Sequence, residues 1–302
     1  MKKIVFISWL IGSAVWGWEP LLSTTQVAAS INDPKVVLVD VSEGDMYTNK
    51  GHLHGAVHTH LAEWRTAVEK HFLVKSPNDI QQVMRRLGIN SDSKVILYSH
   101  LDTPKDLLTS SYIFWAMKLH GLKNISLMNG GFKAWSKENR FSVHDETKVA
   151  EGNFTAVLNP NMVADLSYVR QNVGKRPMID ARPAENYFGI AKSDGVARSG
   201  HIEGAMSYFW MYSVTPDLSV KSIDELKTIF TKGFDLSQGE EIILYCTGGL
   251  ETSFNYFVLN ALLGYTNVRL YDGSMREWGN RTDTPMVQYK WENYRPVTEV
   301  IP

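Results

Sequence analysis

Short apolar runs alternate along the chain with stretches whose apolar residues have helical spacing. The runs are residues 35–40, 94–99, 176–180 and 241–246, and the helical stretches are residues 79–87, 109–119, 224–230 and 252–263. Runs of this length and composition predict buried strands, and Gly121 and Gly264 are placed as helix-ending glycines. Strands that alternate with helices predict an α/β fold, with a parallel sheet covered by helices on both faces.

The same order of features occurs twice. The matched segments are residues 35–40 and 176–180, 51–56 and 200–205, 94–99 and 241–246, and 125–135 and 268–278. Both copies of the first segment end on aspartate, at Asp40 and Asp180, and both copies of the second read Gly-His-x-x-Gly-Ala. The spacing of 140 to 149 residues between matched positions is far longer than a solenoid repeat, so we infer a duplicated domain.

This duplication sets the predicted domain boundaries. We expect a first domain at residues 18–141, a linker at residues 142–158, where periodicity is lost, and a second domain at residues 159–302. In parallel sheets, sites form at the carboxyl ends of the strands. Asp180, Cys246 and Asp272 each follow a predicted strand of the second domain and should therefore meet at one edge.

The first 17 residues have the order of features that protein export requires. Met1, Lys2 and Lys3 form a basic start, and an apolar run follows that is shorter than the roughly 20 residues of a bilayer span. Residues 1–17 are predicted to be a signal peptide, cut near Trp18, and a buried N-terminal helix is the alternative. We expect an exported protein, in the bacterial periplasm, with no stable membrane insertion after cleavage.

Composition narrows the class of protein. The 302 residues are 44% hydrophobic, which supports two cores, and the formal net charge of −1 gives no basic footprint for nucleic acid. A single cysteine excludes an internal disulfide. The nine histidines show no metal-ligand spacing, and we read the cluster of His52, His54, His58 and His60 as turn and surface residues. We therefore expect no metal and no organic cofactor.

Cys246 is the strongest candidate for chemistry. It stands between a predicted strand and a predicted helix, with Gly248 and Gly249 directly after it. Such a loop directs backbone N–H groups at its first residue, which should stabilise a thiolate and lower the pKa of the thiol below about 8.5. The alternative is a small buried apolar residue, as most free cysteines are.

Taken together, these motifs resemble those of the tandem-domain rhodaneses, or sulfurtransferases. The resemblance rests on the paired Asp-ended strands, the two Gly-His-x-x-Gly-Ala motifs, the cysteine loop and the Tyr-Asp-Gly-Ser segment before Trp278. It implies two tandem rhodanese-like domains, an inactive first copy, where Ser99 replaces the cysteine, and a catalytic Cys246. The implied reaction transfers a sulfane sulfur through a Cys246 persulfide to a thiophilic acceptor.

The resemblance also implies roles for other residues. Arg182 corresponds to an arginine that binds donor oxyanions, with an inter-domain ion pair as the alternative, and Arg198 is a second candidate for donor binding. Asp180 should orient the loop and Arg182, and His201 should brace its turn rather than move protons. The loop that would bind the donor comprises Thr247, Gly248, Gly249, Leu250, Glu251 and Thr252.

The loop departs from the family pattern in its charge. Thiosulfate-specific members carry two basic residues after the cysteine, whereas this chain has Thr247 and Gly248. Weak use of thiosulfate is therefore expected. We expect Glu251 to face outward in the first helical turn, where an acid is favourable, although an inward orientation would raise the pKa of the thiol.

Two functions remain open at this point. One is a sulfurtransferase that uses a small anionic sulfur donor and a thiol, cyanide or protein acceptor. The other is a non-catalytic persulfide carrier that delivers sulfur to a partner. A phosphatase on a related fold is rejected, because Thr252 stands where a Cys-x5-Arg loop needs its arginine.

Overall fold

The structure is a computed structural model that describes residues 18–292. The strands are β1 Leu21–Leu22, β2 Val36–Asp40, β3 Val57–His58, β4 Arg65–Val68, β5 His71–Val74, β6 Lys94–Tyr98, β7 Asn124–Met128, β8 Met178–Asp180, β9 His201–Ile202, β10 Met206–Ser207, β11 Ile242–Tyr245, β12 Val268–Leu270 and β13 Met286–Val287. The α-helices are α1 Thr24–Ser30, α2 Met46–Asn49, α3 Pro77–Arg86, α4 Pro104–Leu119, α5 Gly131–Lys137, α6 Leu166–Asn172, α7 Ala184–Phe188, α8 Ile223–Thr228, α9 Leu250–Tyr256 and α10 Ser274–Trp278. Turns of π-helix at Ile229–Gly233 and Phe257–Leu262 extend α8 and α9.

The two halves contain the same sheet. In the first, the strand order is β1-β7-β6-β2-β3, and in the second it is β10-β8-β11-β12, with parallel pairing throughout both. The order β3-β2-β6-β7 therefore matches β10-β8-β11-β12 strand for strand. Even the short antiparallel pairing of His52 with Val143 is repeated, by His201 with Val287. The predicted duplication is thus visible in the topology.

Each sheet is buried on both faces. On β6, Val95 and Leu97 belong to one apolar core and Ile96 and Tyr98 to another, as the alternation of side chains along a strand requires. The same division separates the alternating residues of β11. Continuous apolar strands are expected where helices cover both faces of a parallel sheet, which confirms the predicted fold class.

One apolar core runs through both halves and surrounds the contact between α4 and α9. Phe114 of α4 packs edge to face against Phe257, with the ring centroids 5.0 Å apart. Ser111 and Ser253 share a hydrogen bond of 2.8 Å at the same interface. Helix α4 starts at Pro104, earlier than predicted, because Thr103 and Asp106 form a capping box before the apolar stretch.

The segment between the halves follows the surface of the first. Gly152 and Phe154 donate backbone hydrogen bonds to the carbonyls of Arg85 and Ile89, and the Phe154 ring is buried. Within residues 18–292, no helix is long and apolar enough to cross a membrane. The predicted signal peptide, residues 1–17, lies outside the described residues.

Candidate active site

Cys246 lies at the carboxyl end of β11, in a loop that directs two backbone amides at its sulfur. The N–H groups of Gly248 and Gly249 donate to Sγ at 3.4 and 3.1 Å. Gly249 has a φ of +88°, and a Cβ on it would lie 2.1 Å from Oδ1 of Asp272, so a larger residue does not fit. The predicted amide cradle is therefore present.

Ser274 fixes the other side of the cysteine. Its hydroxyl accepts a hydrogen bond from the Cys246 N–H at 3.1 Å and donates to the Tyr271 carbonyl at 2.7 Å. Ser274 has a φ of 50°, a left-handed conformation that is uncommon for a residue with a side chain. Sequence reasoning missed this residue, although it lies in the segment 268–278 that matches residues 125–135.

The pKa of the Cys246 thiol is raised to about 11, so the prediction of a lowered value was wrong. Burial is the largest cause, since the residue is 1% exposed, and the negative charge of Glu251 adds to it. Thr252 and Gly248 act in the opposite direction, but their dipoles do not offset the loss of water around the sulfur. The resting site consequently holds a neutral thiol.

Glu251 faces inward, contrary to the expectation of an outward side chain. Its Oε2 accepts a hydrogen bond of 3.5 Å from the Thr247 N–H, and it interacts with the Cys246 side chain. Burial, followed by the negative charge of Asp180, raises the pKa of the Glu251 carboxyl to about 7. The favourable interaction of an acid with the helix N-terminus did not turn the side chain outward, because the carboxylate accepts a hydrogen bond from the loop amide of Thr247 instead.

Leu250 and Thr252 belong to the first turn of α9. Leu250 begins the helix and packs partly buried against the domain-spanning core. The Thr252 hydroxyl is buried and makes no hydrogen bond of ordinary geometry within the described residues, although it lies close enough to Sγ to lower the pKa of the thiol. It is thus available to a group added to the sulfur.

Arg182 forms a buried ion pair with Asp180. Its Nε and Nη2 donate to the Asp180 carboxylate at 2.5 to 3.1 Å, and Nη1 and Nη2 donate to Ser193 Oγ and the Gly200 carbonyl. Burial opposes the charge, but the Asp180 carboxylate more than offsets this and raises the pKa of Arg182. Arg182 is buried, and its guanidinium holds the residue 193 loop in place. These contacts argue against donor binding, and they also correct the inter-domain alternative, because every partner lies in the second half.

Arg198 does not face the cysteine loop, so its assignment to donor binding is corrected. Its guanidinium donates to the carbonyls of Trp278, Gly279 and Thr284 and to the Thr284 hydroxyl. These bonds tie down the chain after α10, and burial lowers the pKa of Arg198. The role of Arg198 is therefore to stabilise this turn, whose carbonyl oxygens surround its guanidinium.

His201 braces its turn, as the sequence predicted. The ring stacks on Tyr187 at 3.7 Å, and its two nitrogens lie 2.8 Å from the Tyr187 carbonyl oxygen and 3.2 Å from Glu292 Oε2. His52 repeats the stacking, on Tyr47, and the contact of Nδ1 with the Tyr47 carbonyl oxygen, but its Nε2 has no partner among the described residues. The His201 ring, held at both nitrogens, is structural.

The first half contributes directly to the cysteine loop, which sequence reasoning did not anticipate. Arg65, on the hairpin of β4 and β5, donates from Nη2 to the Gly248 carbonyl at 2.9 Å. The Tyr112 hydroxyl and the Val74 N–H both donate to Asp272 Oδ2, at 2.8 and 2.7 Å. Asp272 is buried, which raises its pKa to about 6. The loop is therefore held from both halves.

The equivalent loop of the first half lacks the amide cradle. Ser99 Oγ donates to the Asp106 carbonyl at 3.1 Å and accepts from Ser110 Oγ at 3.2 Å. Leu101 has a φ of 61° and Pro104 begins the next helix, so the loop takes a different path. Among residues 18–292, no group of three His, Cys, Asp or Glu side chains is placed to hold a metal ion.

Comparisons with known proteins identify the family. The model of the rhodanese-like domain matches residues 23–138 and 165–281. The chain is 30% identical over 286 residues to a sulfur carrier protein, TtuD, of Thermus thermophilus, which covers 89% of this chain and 97% of that protein. It is 28% identical over 280 residues to a thiosulfate sulfurtransferase of Corynebacterium glutamicum, covering 89% of this chain and 90% of the relative.

A solved structure agrees with this assignment. The crystal structure of SseA from Escherichia coli, described as a 3-mercaptopyruvate sulfotransferase with the rhodanese fold, superposes with a TM-score of 0.73 at 26% identity. The match covers 85% of this chain and 98% of SseA. The predicted family and fold are both confirmed. The chain therefore belongs to the rhodanese family, as a tandem-domain member with its single cysteine in the second copy.

Proposed function

We propose that this protein is a sulfurtransferase that carries sulfur as a persulfide on Cys246. The observation that supports the proposal best is the pair of amides, Gly248 and Gly249, directed at the sulfur of the chain's one cysteine. Relatives across nearly the whole chain are named sulfurtransferases, which supports the enzyme class. The small anionic donor and the thiol, cyanide or protein acceptor are part of the proposal.

The reaction has two displacement steps on sulfur. The Cys246 thiolate attacks the outer sulfur of a donor such as thiosulfate, the S–S bond of the donor breaks, and sulfite leaves with the electron pair. An acceptor thiolate or cyanide then attacks the outer sulfur of the persulfide, and Sγ leaves as a thiolate. No net oxidation is required, and no metal or organic cofactor enters either step.

The loop residues stabilise the intermediate. The outer sulfur of a persulfide is anionic, and the amides of the loop together with the Thr252 hydroxyl can donate to it. A thiol with a pKa of about 11 is rarely ionised at neutral pH, but a basic thiolate is also a stronger nucleophile. The higher nucleophilicity of the ionised form offsets only part of this loss.

Persulfide formation tests this function. Incubation with a sulfane donor should add the mass of sulfur to the intact protein, and cyanide or a thiol should remove it. Cys246→Ser should abolish the adduct, whereas Ser99→Ala, in the equivalent loop, should leave it unchanged. An adduct that persists on Cys246→Ser would refute the proposal, because the chain has no other thiol.

A persulfide carrier is the second candidate, and one observation favours it. The relative from Thermus thermophilus is named a sulfur carrier protein and covers 89% of this chain. The two functions differ in turnover with small molecules. A carrier would load once and discharge only to a protein partner, whereas an enzyme would cycle with excess donor and cyanide, so steady-state kinetics distinguish them.

Export to the bacterial periplasm is part of the proposal. It is supported by the basic start and the apolar run of residues 1–17, the order that a signal peptide requires. Protein recovered from the extracytoplasmic fraction should begin near Trp18. Recovery of soluble protein that still begins at Met1 would argue against export.

A further inference from the structure

Helix α10 is fixed to the cysteine loop by its own backbone. The Met275 N–H donates to the Cys246 carbonyl at 3.0 Å, and the Arg276 N–H donates to the Thr247 carbonyl at 2.9 Å. Any side chain on the first turn of α10 is thus held in register with the loop. Arg276 is the cation at that place.

The Arg276 side chain lies beside the residue where the loop carries no side chain. A Cβ on Gly248 would lie 3.4 Å from Cδ and 3.8 Å from Nη1 of Arg276. The N–H of the same residue donates to Sγ at 3.4 Å. The Arg276 guanidinium, which comes from α10, therefore occupies the space into which a basic side chain at position 248 would extend.

Arg276 lines two adjoining clefts, of which one also holds the carboxylates of Glu69, Glu277 and Asp283 and the other is mainly positive. The second cleft, of about 690 Å³, is lined by three cations, Lys70, Lys192 and Arg276, and among its described lining residues Asp194 is the one carboxylate. Arg276 donates from Nη2 to the Asp194 carboxylate at 3.0 Å and from Nε to the Asp194 carbonyl at 3.3 Å. The Asp194 side chain is 94% exposed and that of Arg276 24%. A carboxylate so exposed to water pairs weakly, so an incoming anion can displace it from Nη2.

We propose that Arg276 and this cleft form the subsite that binds the anionic group of the sulfur donor, a sulfonate or a carboxylate. The inference rests on the proposed function and names its specificity residue. Arg276 holds the oxyanion beside Gly248 while the donor's sulfur approaches Sγ. A guanidinium suits this role because it donates two parallel hydrogen bonds to such a group.

Alkylation of Cys246 tests the subsite without any sulfur transfer. Every alkylation event reports on Cys246, because it is the only cysteine. The ratio of the rate with iodoacetate, which carries a carboxylate, to the rate with neutral iodoacetamide should fall about three- to tenfold in Arg276→Gln. It should rise in Asp194→Asn, which releases the guanidinium, and be largely retained in Arg276→Lys.

Arg281→Gln is the matched control. Arg281 lines the adjoining cleft and pairs with Asp283 at 2.9 Å, so this variant should keep the wild-type ratio. In the wild type, added salt should lower the ratio as Arg276→Gln does, which is a test that needs no folded variant. Equal ratios in wild type and Arg276→Gln, or a wild-type ratio that salt does not change, would overturn the subsite.

Steady-state kinetics with the sulfur donor test the subsite and the sulfurtransferase proposal separately. Arg276→Gln should raise the KM for thiosulfate about tenfold, the effect of one lost charge-assisted hydrogen bond, with little change in kcat. Should the wild type turn over no donor while the alkylation ratio still depends on Arg276, the subsite stands and the sulfurtransferase proposal fails. If the wild type turns over donor and Arg276→Gln changes neither KM nor the alkylation ratio, the sulfurtransferase proposal stands and the subsite fails.

Discussion

Arg65 of the first half donates a hydrogen bond of 2.9 Å to the carbonyl of Gly248, in the cysteine loop of the second half. The guanidinium also lies over the rings of Phe72 and Tyr112, 4.3 and 5.1 Å from their centroids. Because the Gly248 N–H on the other side of the same residue donates to Sγ, this contact fixes the cradle from the opposite domain.

Arg65→Ala should therefore loosen the loop and the domain contact together. We expect a loss of about 1 to 3 kcal/mol in the free energy of unfolding, the range for a buried group that loses a charged partner. Iodoacetamide should also modify Cys246 faster, since the sulfur is less protected. Arg86→Gln, which removes an exposed ion pair with Glu63, is the control in denaturant titrations, and an equal loss in both variants would contradict this role for Arg65.

The Ser99 loop of the first half should not form a persulfide even when it carries a cysteine. In a Ser99→Cys, Cys246→Ser double variant, we expect no sulfur adduct at neutral pH, because the Ser99 loop makes no amide cradle around its side chain. Intact mass after treatment with donor measures this. A sulfur adduct on the engineered thiol would show that both loops are competent.

Glu251 should control the pH dependence of the thiol. Its negative charge is the second cause of the raised pKa of Cys246, after burial. Glu251→Gln should shift the alkylation rate of Cys246 toward lower pH, so that the variant reacts faster than the wild type near pH 8. Identical pH profiles would mean that the carboxylate does not act on the sulfur.

The same carboxyl should make stability depend on pH. The folded-state pKa of Glu251, about 7, lies above its ordinary value of 4.5, so the protonated form favours the folded state. This stabilising contribution is complete below about pH 4.5 and is lost as the pH rises through about 7. The melting temperature of Glu251→Gln should accordingly gain on that of the wild type between about pH 5 and pH 8. A constant difference over that range would exclude this titration.

Gly249 should be the least replaceable residue of the loop. A Cβ there would lie 2.1 Å from Asp272 Oδ1, in a left-handed backbone conformation. Gly249→Ala should displace its N–H from Sγ and lower turnover at least tenfold, while Gly239→Ala, with nothing within 4 Å of the added carbon, should be almost neutral. Steady-state kinetics with thermal melts of both variants provide the measurement.

The features that could be predicted from the sequence are those that depend on residues close together along the chain. The strand from Ile242 to Tyr245 and the helix after the glycines depend on neighbours along the chain, and both were found. The fold could be predicted because strands and helices alternate in the same order in both halves, with four matched segments. Both patterns can be read from the sequence without coordinates.

Most of the failures involve contacts between residues that lie far apart along the chain; the inward Glu251, bonded to Thr247 of the same loop, is an exception. The pKa of Cys246 depends on how completely the folded chain excludes water from the sulfur, and no local pattern contains that information. Without a basic pair after Cys246, the sequence left Arg182 as the predicted cation of the site, yet the cation that lies against Gly248 is Arg276, from a separate helix. Arg65 arrives from the other domain.

The apolar core that runs between α4 and α9 has a consequence for the history of the chain. The helix and the hairpin of the first half form one wall of the site around Cys246. Selection can thus retain a first copy that has no cysteine, because the second copy needs it as a scaffold. Deleting it should leave the second copy not as a smaller enzyme but as a protein with an exposed apolar surface where its active site used to be.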